Sequence, residues 1–360
     1  MIKVVVSELG ETPEEAIERH VSIVQMELPA VAELAPDDVV IEVKSASVGW
    51  VDLIMTSGQY QHLPEPPYTP GLEYAGVVRE VGPAVTRAIA PGDRVLVDGL
   101  LAGPRSLGAH RKWGGWASFA VAPEAAVIPI PAPLDFDQAC NLLGNYETAY
   151  HALVARGNLQ RGQTLLVLGA SGATGLAAVQ VGKAIGATVL GVGRSAKKLE
   201  IVRALGADAT IELGEGVSLR DEVRAKTGGQ GVDAVYDPVG GALSVESMRC
   251  VKFGAKHLVV GWAATPFVAR GKGARGAPNA NQLPTNLIMM KGLDVLGCPA
   301  AISILHDPTL RPPRLAAVLA WAEQGSITPH VSHRYPLASI REAMLAKWRG
   351  DVVGGCVVHP

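Results

Sequence analysis

Cysteine is scarce in this 360-residue chain: Cys140, Cys250, Cys298 and Cys356 lie far apart and form no Cys-x-x-Cys pair. That spacing excludes a disulfide framework and points to reduced thiols. Charge is also sparse, at 18% of residues with a formal net charge of −2, so the chain lacks the basic field that nucleic-acid binding needs. No apolar run reaches the roughly 18 residues needed to cross a bilayer. The N-terminus is strand-like from Met1 to Val6 and acidic by Glu11, without the basic start and apolar segment of a secretory signal. The expectation is a soluble cytoplasmic protein acting on a small molecule, with no nucleic-acid or membrane partner. The length favours two domains, each able to bury its own core.

Glycine is what the chain has in quantity, 41 residues, and in one place its spacing carries chemistry. Leu165 to Leu168 is a continuous apolar run, as expected of a parallel strand buried on both faces. Gly169-Ala170-Ser171-Gly172-Ala173-Thr174-Gly175 follows and leads into a helical pattern to Ile185. Ala170, Gly172 and Gly175 fall on the G-x-G-x-x-G positions, with alanine for the first glycine. The middle glycine lets backbone N–H groups approach a pyrophosphate, and the third lets helix and strand pack closely. A second strand, Thr188–Val192, ends roughly 20 residues beyond the glycines, where the ribose-reading residue belongs. An NADH site usually has Asp or Glu there, whereas this chain has Gly193-Arg194-Ser195, then Lys197 and Lys198. A guanidinium can hold a 2′-phosphate through charge-assisted bonds, so NADPH is the expected cofactor. Arg194 as an ordinary solvated arginine is the competing reading.

Residues 1–130 read mainly as β structure, with strands at Val39–Val43, Gly76–Val81 and Arg94–Val97. Thr12-Pro13-Glu14-Glu15 predicts a capped helix start. From about Asp135 helices and strands alternate: helix 135–155, strand 164–168, helix 175–185, strand 188–192, helix 196–204 and strands at 210–213, 234–236, 258–260 and 294–296. Such alternation implies a doubly wound parallel sheet. The tail returns to mixed structure and ends in strand 356–358, so both chain ends are expected to complete the first domain, with the active site in a cleft beside the strand ends. Two stretches, 98–116 and 263–283, read as basic loop insertions that could attract an anionic substrate or a CoA phosphate, or could be plain solvated loops.

Pro70-Gly71-Leu72-Glu73-Tyr74-Ala75-Gly76-Val77-Val78, Pro91-Gly92-Asp93-Arg94-Val95, the 231–241 stretch and Asn286 to Gly292 together resemble the medium-chain dehydrogenase/reductase superfamily, in its zinc-free quinone oxidoreductase and enoyl reductase branch. The resemblance implies an α/β fold: a Rossmann domain over 134–300 and a β-rich GroES-like catalytic domain made of 1–133 and 301–360. It also implies a homodimer. Zinc ligands of the metal-dependent relatives fall on Gly49, Leu72 and Gly144, none of which can ligate zinc. No cysteine precedes Cys140 to build a structural zinc lobe.

Without a metal, an electrophile that takes hydride at a conjugated position, such as a quinone or an enone, becomes the expected substrate. By resemblance Tyr60 is the candidate acid, with loop packing as the alternative. Trp50, Asp52 and Asn145 are cleft candidates; Trp50 could equally pack in the core, and Asp52 could simply bond within its loop. The resemblance also implies that Thr148, Val239, Gly240 and Gly261 lie near the nicotinamide and that Asn286, at its end of the cofactor, is a catalytic candidate with Tyr60, while Ala170 to Gly175, Gly193, Arg194, Ser195 and Lys198 are expected to hold the rest of the cofactor. Two alternatives stay open: an enoyl-thioester or acrylyl-CoA reductase, and a non-catalytic NADPH-binding protein of crystallin-like or sensory role.

Overall fold

The computed structural model describes residues 1–30, 34–60, 62–106, 108–265 and 281–360. They divide into two units, one of Met1–Gly144 with His330–Pro360, the other of the described residues from Asn145 to Pro329. The divisions fall later than the expected 133/134 and 300/301 for physical reasons. Asp137 binds Arg334 (2.6 Å) and His359 (2.7 Å), which keeps the segment before Gly144 on the first unit. Glu147 binds Arg311 and Arg314, and Gln180 binds Thr328, which keeps residues up to Pro329 on the second.

The N-terminal stretch supplies strands β1 (Ile2–Val6), β2 (Val21–Gln25), β3 (Asp38–Ser47), β4 (Tyr74–Val81), β5 (Arg94–Val97), β6 (Phe119–Pro123) and β7 (Val127–Pro129). Helix Pro13–Arg19 starts as its sequence predicts: Thr12 Oγ1 accepts the Glu15 N–H at 3.2 Å. Glu15 reaches back to the Glu11 N–H (2.8 Å), one residue before the cap. Val39, Ile41 and Val43 of β3 pack with Tyr74, Val95 and Trp116 into the unit's core. The 98–116 insertion is tied into this core. Trp116 is wholly buried and its indole N–H donates to Ser47 O at 2.9 Å. His110 bonds Asp38, and a Cβ on Gly114 would lie 2.1 Å from two backbone oxygens.

In the second unit β8 (Thr164–Val167), β9 (Thr188–Gly193), β10 (Ala209–Glu212), β11 (Val232–Asp237), β12 (Val251–Val259) and β13 (Asp294–Gly297) form a six-stranded sheet in the order β10-β9-β8-β11-β12-β13. Every neighbouring pair is parallel. Leu165 to Leu168 are wholly buried, which explains their unbroken apolar run. The expected helix 135–155 is instead three pieces, Phe136–Ala139, Leu143–Tyr150 and π-helical turns His151–Arg156.

The C-terminal stretch returns with β14 (Val331–Pro336) and β15 (Gly355–His359), completing a sheet ordered β14-β15-β3-β4-β5-β7, with β6 paired to β3. Both chain ends therefore build the first unit. Among the described residues no helix is long and apolar enough to cross a membrane.

Candidate functional site

The glycine turn sits where β8 delivers the chain to helix Ala173–Ile185. Gly169 holds φ +60° and its carbonyl accepts the Gly172 N–H at 3.0 Å. Ala170 is buried, its N–H donating to Val192 O, so a methyl group fits where the fingerprint has glycine. The two later glycines differ in what they need. A Cβ on Gly175 would lie 2.4 Å from Gly169 O, whereas one on Gly172 would meet that oxygen at 3.4 Å, an ordinary contact. Gly175→Ala should therefore lower unfolding free energy by about 1–3 kcal/mol in a urea titration. Gly172→Ala should leave the melt unchanged and weaken nucleotide binding, since its exposed face is where backbone N–H groups meet a pyrophosphate.

At the end of β9, Gly193 packs against Leu199, and Ser195 caps helix Ala196–Ala204. Arg194 is exposed and has no partner among the described residues, while Lys198 is partly buried. Ser171 and Thr174 are half-buried on the glycine turn. Asn145 and Thr148 share helix Leu143–Tyr150 with Glu147.

A buried polar knot, which sequence reading missed, fixes the turn after β11. Asp237 Oδ1 accepts the N–H groups of Val239 and Gly240, each at 2.9 Å. Its other oxygen takes the Ser244 hydroxyl and His257 Nε2. Burial pushes the Asp237 carboxyl up, but the bonds from His257, Gly240 and Ser244 outweigh it and hold the group below the ordinary carboxylate value. Ser244 and His257 both bind the same Asp237 oxygen, so the hydroxyl is spent on the acid and not on the imidazole. Val239 O accepts the Ala264 N–H, and Gly261 N–H donates to Asp237 O. The asparagine bonded to this turn is Asn281, whose Oδ1 accepts the Gly241 N–H at 3.1 Å. Asn286 is exposed on helix Thr285–Lys291 without a hydrogen bond to the described residues. Most of the 263–283 insertion lies outside the described residues.

On the first unit, Asp52 is buried and accepts the N–H groups of Gly49 (3.0 Å), Gly71 (3.2 Å) and Leu72 (3.1 Å). Burial raises its carboxyl to about 6, against those three bonds and the charge of Arg105. Asp52 thus acts as a loop fastener. Trp50 stacks on Trp348 at 5.1 Å and packs against the core. Tyr60 is half-buried, its ring edge-on to His62, and its hydroxyl makes no hydrogen bond with the described residues.

The positions matching zinc ligands are closed in structure as well as in chemistry. Glu73 accepts the Gly144 N–H, and a Cβ on Gly144 would lie 2.7 Å from Glu73 Oε1. No group of three His, Cys, Asp or Glu among the described residues could hold a metal ion. The residues present do not fit a catalytic zinc.

A parallel sheet with a glycine turn leading from its third strand to a helix, carried on one chain with a GroES-like β unit, defines a pyridine-nucleotide oxidoreductase. Comparison with known proteins gives the family. Residues 35–132 match the alcohol dehydrogenase GroES-like domain, and residues 173–301 match the zinc-binding dehydrogenase domain. The quinone oxidoreductase-like protein 2 homolog of Nematostella vectensis is 33% identical over 91% of this chain and 82% of its own length. Human quinone oxidoreductase is 29% identical over 85% of this chain and 83% of its own. A solved mycobacterial protein complexed with NADPH superposes over both whole chains with a TM-score of 0.79 at 25% identity. The chain belongs to the medium-chain dehydrogenase/reductase superfamily, in its quinone oxidoreductase branch.

Proposed function

We propose that this oxidoreductase uses NADPH to reduce quinones or α,β-unsaturated carbonyl compounds without a metal. The observation that carries the reading is Arg194, exposed and without a partner among the described residues, at the end of a strand whose last residue, Gly193, stands where an NADH site usually has an acid. The NADPH bound in the mycobacterial neighbour supports it. Gly172 and the N–H groups of its turn would hold the pyrophosphate, and Arg194 the 2′-phosphate. The Asp237 knot keeps the Val239–Gly240 backbone in one conformation.

Bound NADPH supplies a hydride. Adding it to the far carbon of a conjugated C=C–C=O moves the electron pair onto the oxygen, and one proton completes the reduction. Tyr60 is suited to donate that proton or a hydrogen bond, because its hydroxyl is not committed to another described residue. The lack of ligating side chains at positions 49, 72 and 144 turns the reading away from metal-assisted alcohol oxidation.

The test is NADPH oxidation followed at fixed enzyme with 1,4-benzoquinone, 2-alkenals and crotonyl-CoA. Turnover of the quinone or the alkenals is the expected result. Exclusive turnover of the thioester would replace this substrate class with an acyl-CoA, and silence across the panel would refute the proposal.

A further inference from the structure

The nucleotide unit carries a carboxylate where an NADPH site would do better without one. β10 runs parallel to β9 with Glu212 in register with Gly193, and the Leu213 N–H donates to Gly193 O at 2.7 Å. The two strands therefore end side by side, and Glu212 leaves the sheet next to Gly193-Arg194-Ser195. Its Oε1 accepts the N–H of Ala196, the first residue of the following helix, at 2.8 Å. Ser195 is the cap of that helix but makes no side-chain capping bond, so Glu212 has taken over the task from the neighbouring strand. Glu212 is exposed, and its second oxygen bonds none of the described residues.

The two known modes of reading the adenosine ribose place opposite demands on this spot. A 2′-phosphate wants N–H groups and cations and is repelled by a carboxylate. A ribose with free hydroxyls donates to a carboxylate, as it does to the acid of an NADH site. Here Arg194 serves the first mode, while Glu212 occupies an N–H and offers the second a carboxylate oxygen that bonds none of the described residues.

We propose that Glu212 is a cofactor-selectivity residue, placed by strand register beside Arg194, which holds back the preference for the 2′-phosphate and lets the site accept NADH as well as NADPH. The inference rests on the assignment of Arg194 to the phosphate subsite. The test is titration of wild type, Glu212→Gln and Arg194→Ala with NADPH and with NADH, followed by nucleotide fluorescence. Glutamine keeps the acceptor for the Ala196 N–H and removes only the charge. Glu212→Gln should tighten NADPH by about tenfold and leave NADH unchanged or weaker. That gain should shrink at high salt, as a charge effect does and a packing effect does not. An unchanged NADPH-to-NADH ratio in Glu212→Gln overturns the inference. Equal loss of both nucleotides in Arg194→Ala instead overturns the phosphate assignment, so the two failures are distinct.

Discussion

Replacing Glu147 with alanine is expected to destabilise the nucleotide unit by about 3–5 kcal/mol. The carboxylate is 5% exposed and faces two guanidiniums at once: Arg311 binds both oxygens (3.0 and 3.2 Å) and Arg314 binds Oε2 at 2.8 Å. Arg314 is 1% exposed, so water cannot replace the lost partner. Removing one member of a buried ion pair costs far more than removing the pair, because it leaves a charge in a poorly solvating medium. Urea denaturation reads the loss directly. The double variant Glu147→Met with Arg314→Leu should recover part of it. A single-variant loss under about 1 kcal/mol would mean the guanidiniums are solvated after all. Glu147 lies between Asn145 and Thr148 on one helix, so the same charge cluster steadies a cleft candidate and a cofactor-site candidate.

The second large effect is one of pH. Asp52 titrates near 6 in the folded chain, against an ordinary value of 3.8, because burial outweighs its three N–H bonds. An acid whose pKa rises on folding binds its proton more tightly when folded. Its contribution is therefore fully present below about pH 4 and is lost as pH rises through 6. The shift corresponds to on the order of 2–3 kcal/mol. Asp52→Asn removes this titration. Unfolding free energies at pH 4 and pH 7.5 should show the variant gaining on wild type by that amount at the higher pH. Parallel curves for the two proteins would show that Asp52 is solvated in the native state.

What could be read from the sequence was whatever local chemistry encodes. Leu165–Leu168 announced a strand because a parallel strand buried on both faces needs no alternation. Gly175 and Thr12 were legible for the same reason, since each answers a need within a few residues of itself. β12 was half hidden: only its last residues read as strand, because Lys252, Phe253 and Gly254 are not buried and interrupt the apolar signal. Helix 135–155 looked continuous because its break depends on Glu73, a carboxylate 71 residues earlier that captures the Gly144 N–H. The Asp237 knot shows the same limit. Asp237 lies in the 231–241 stretch that carries the resemblance, but its partner His257 is brought to it only by strand pairing. Glu212 is hidden in the same way, because it stands 19 residues beyond Gly193 in sequence and only the parallel pairing of β10 with β9 sets the two side by side.

β15 lies between β14 and β3, so the sheet of the first unit closes on residues 355–359. The six strands of the nucleotide sheet are all complete by Gly297. During synthesis from the N-terminus, the unit begun first is thus the one finished last. While the nucleotide unit can already assemble, β3, paired with β4 on one side and with β6 over Asp38–Glu42 on the other, must wait with the Ala46–Ser47 end of that second edge unpaired. An open edge of that kind is a template for pairing with other chains. The fold therefore places its greatest exposure to misassembly in the interval before the C-terminal strand emerges from the ribosome.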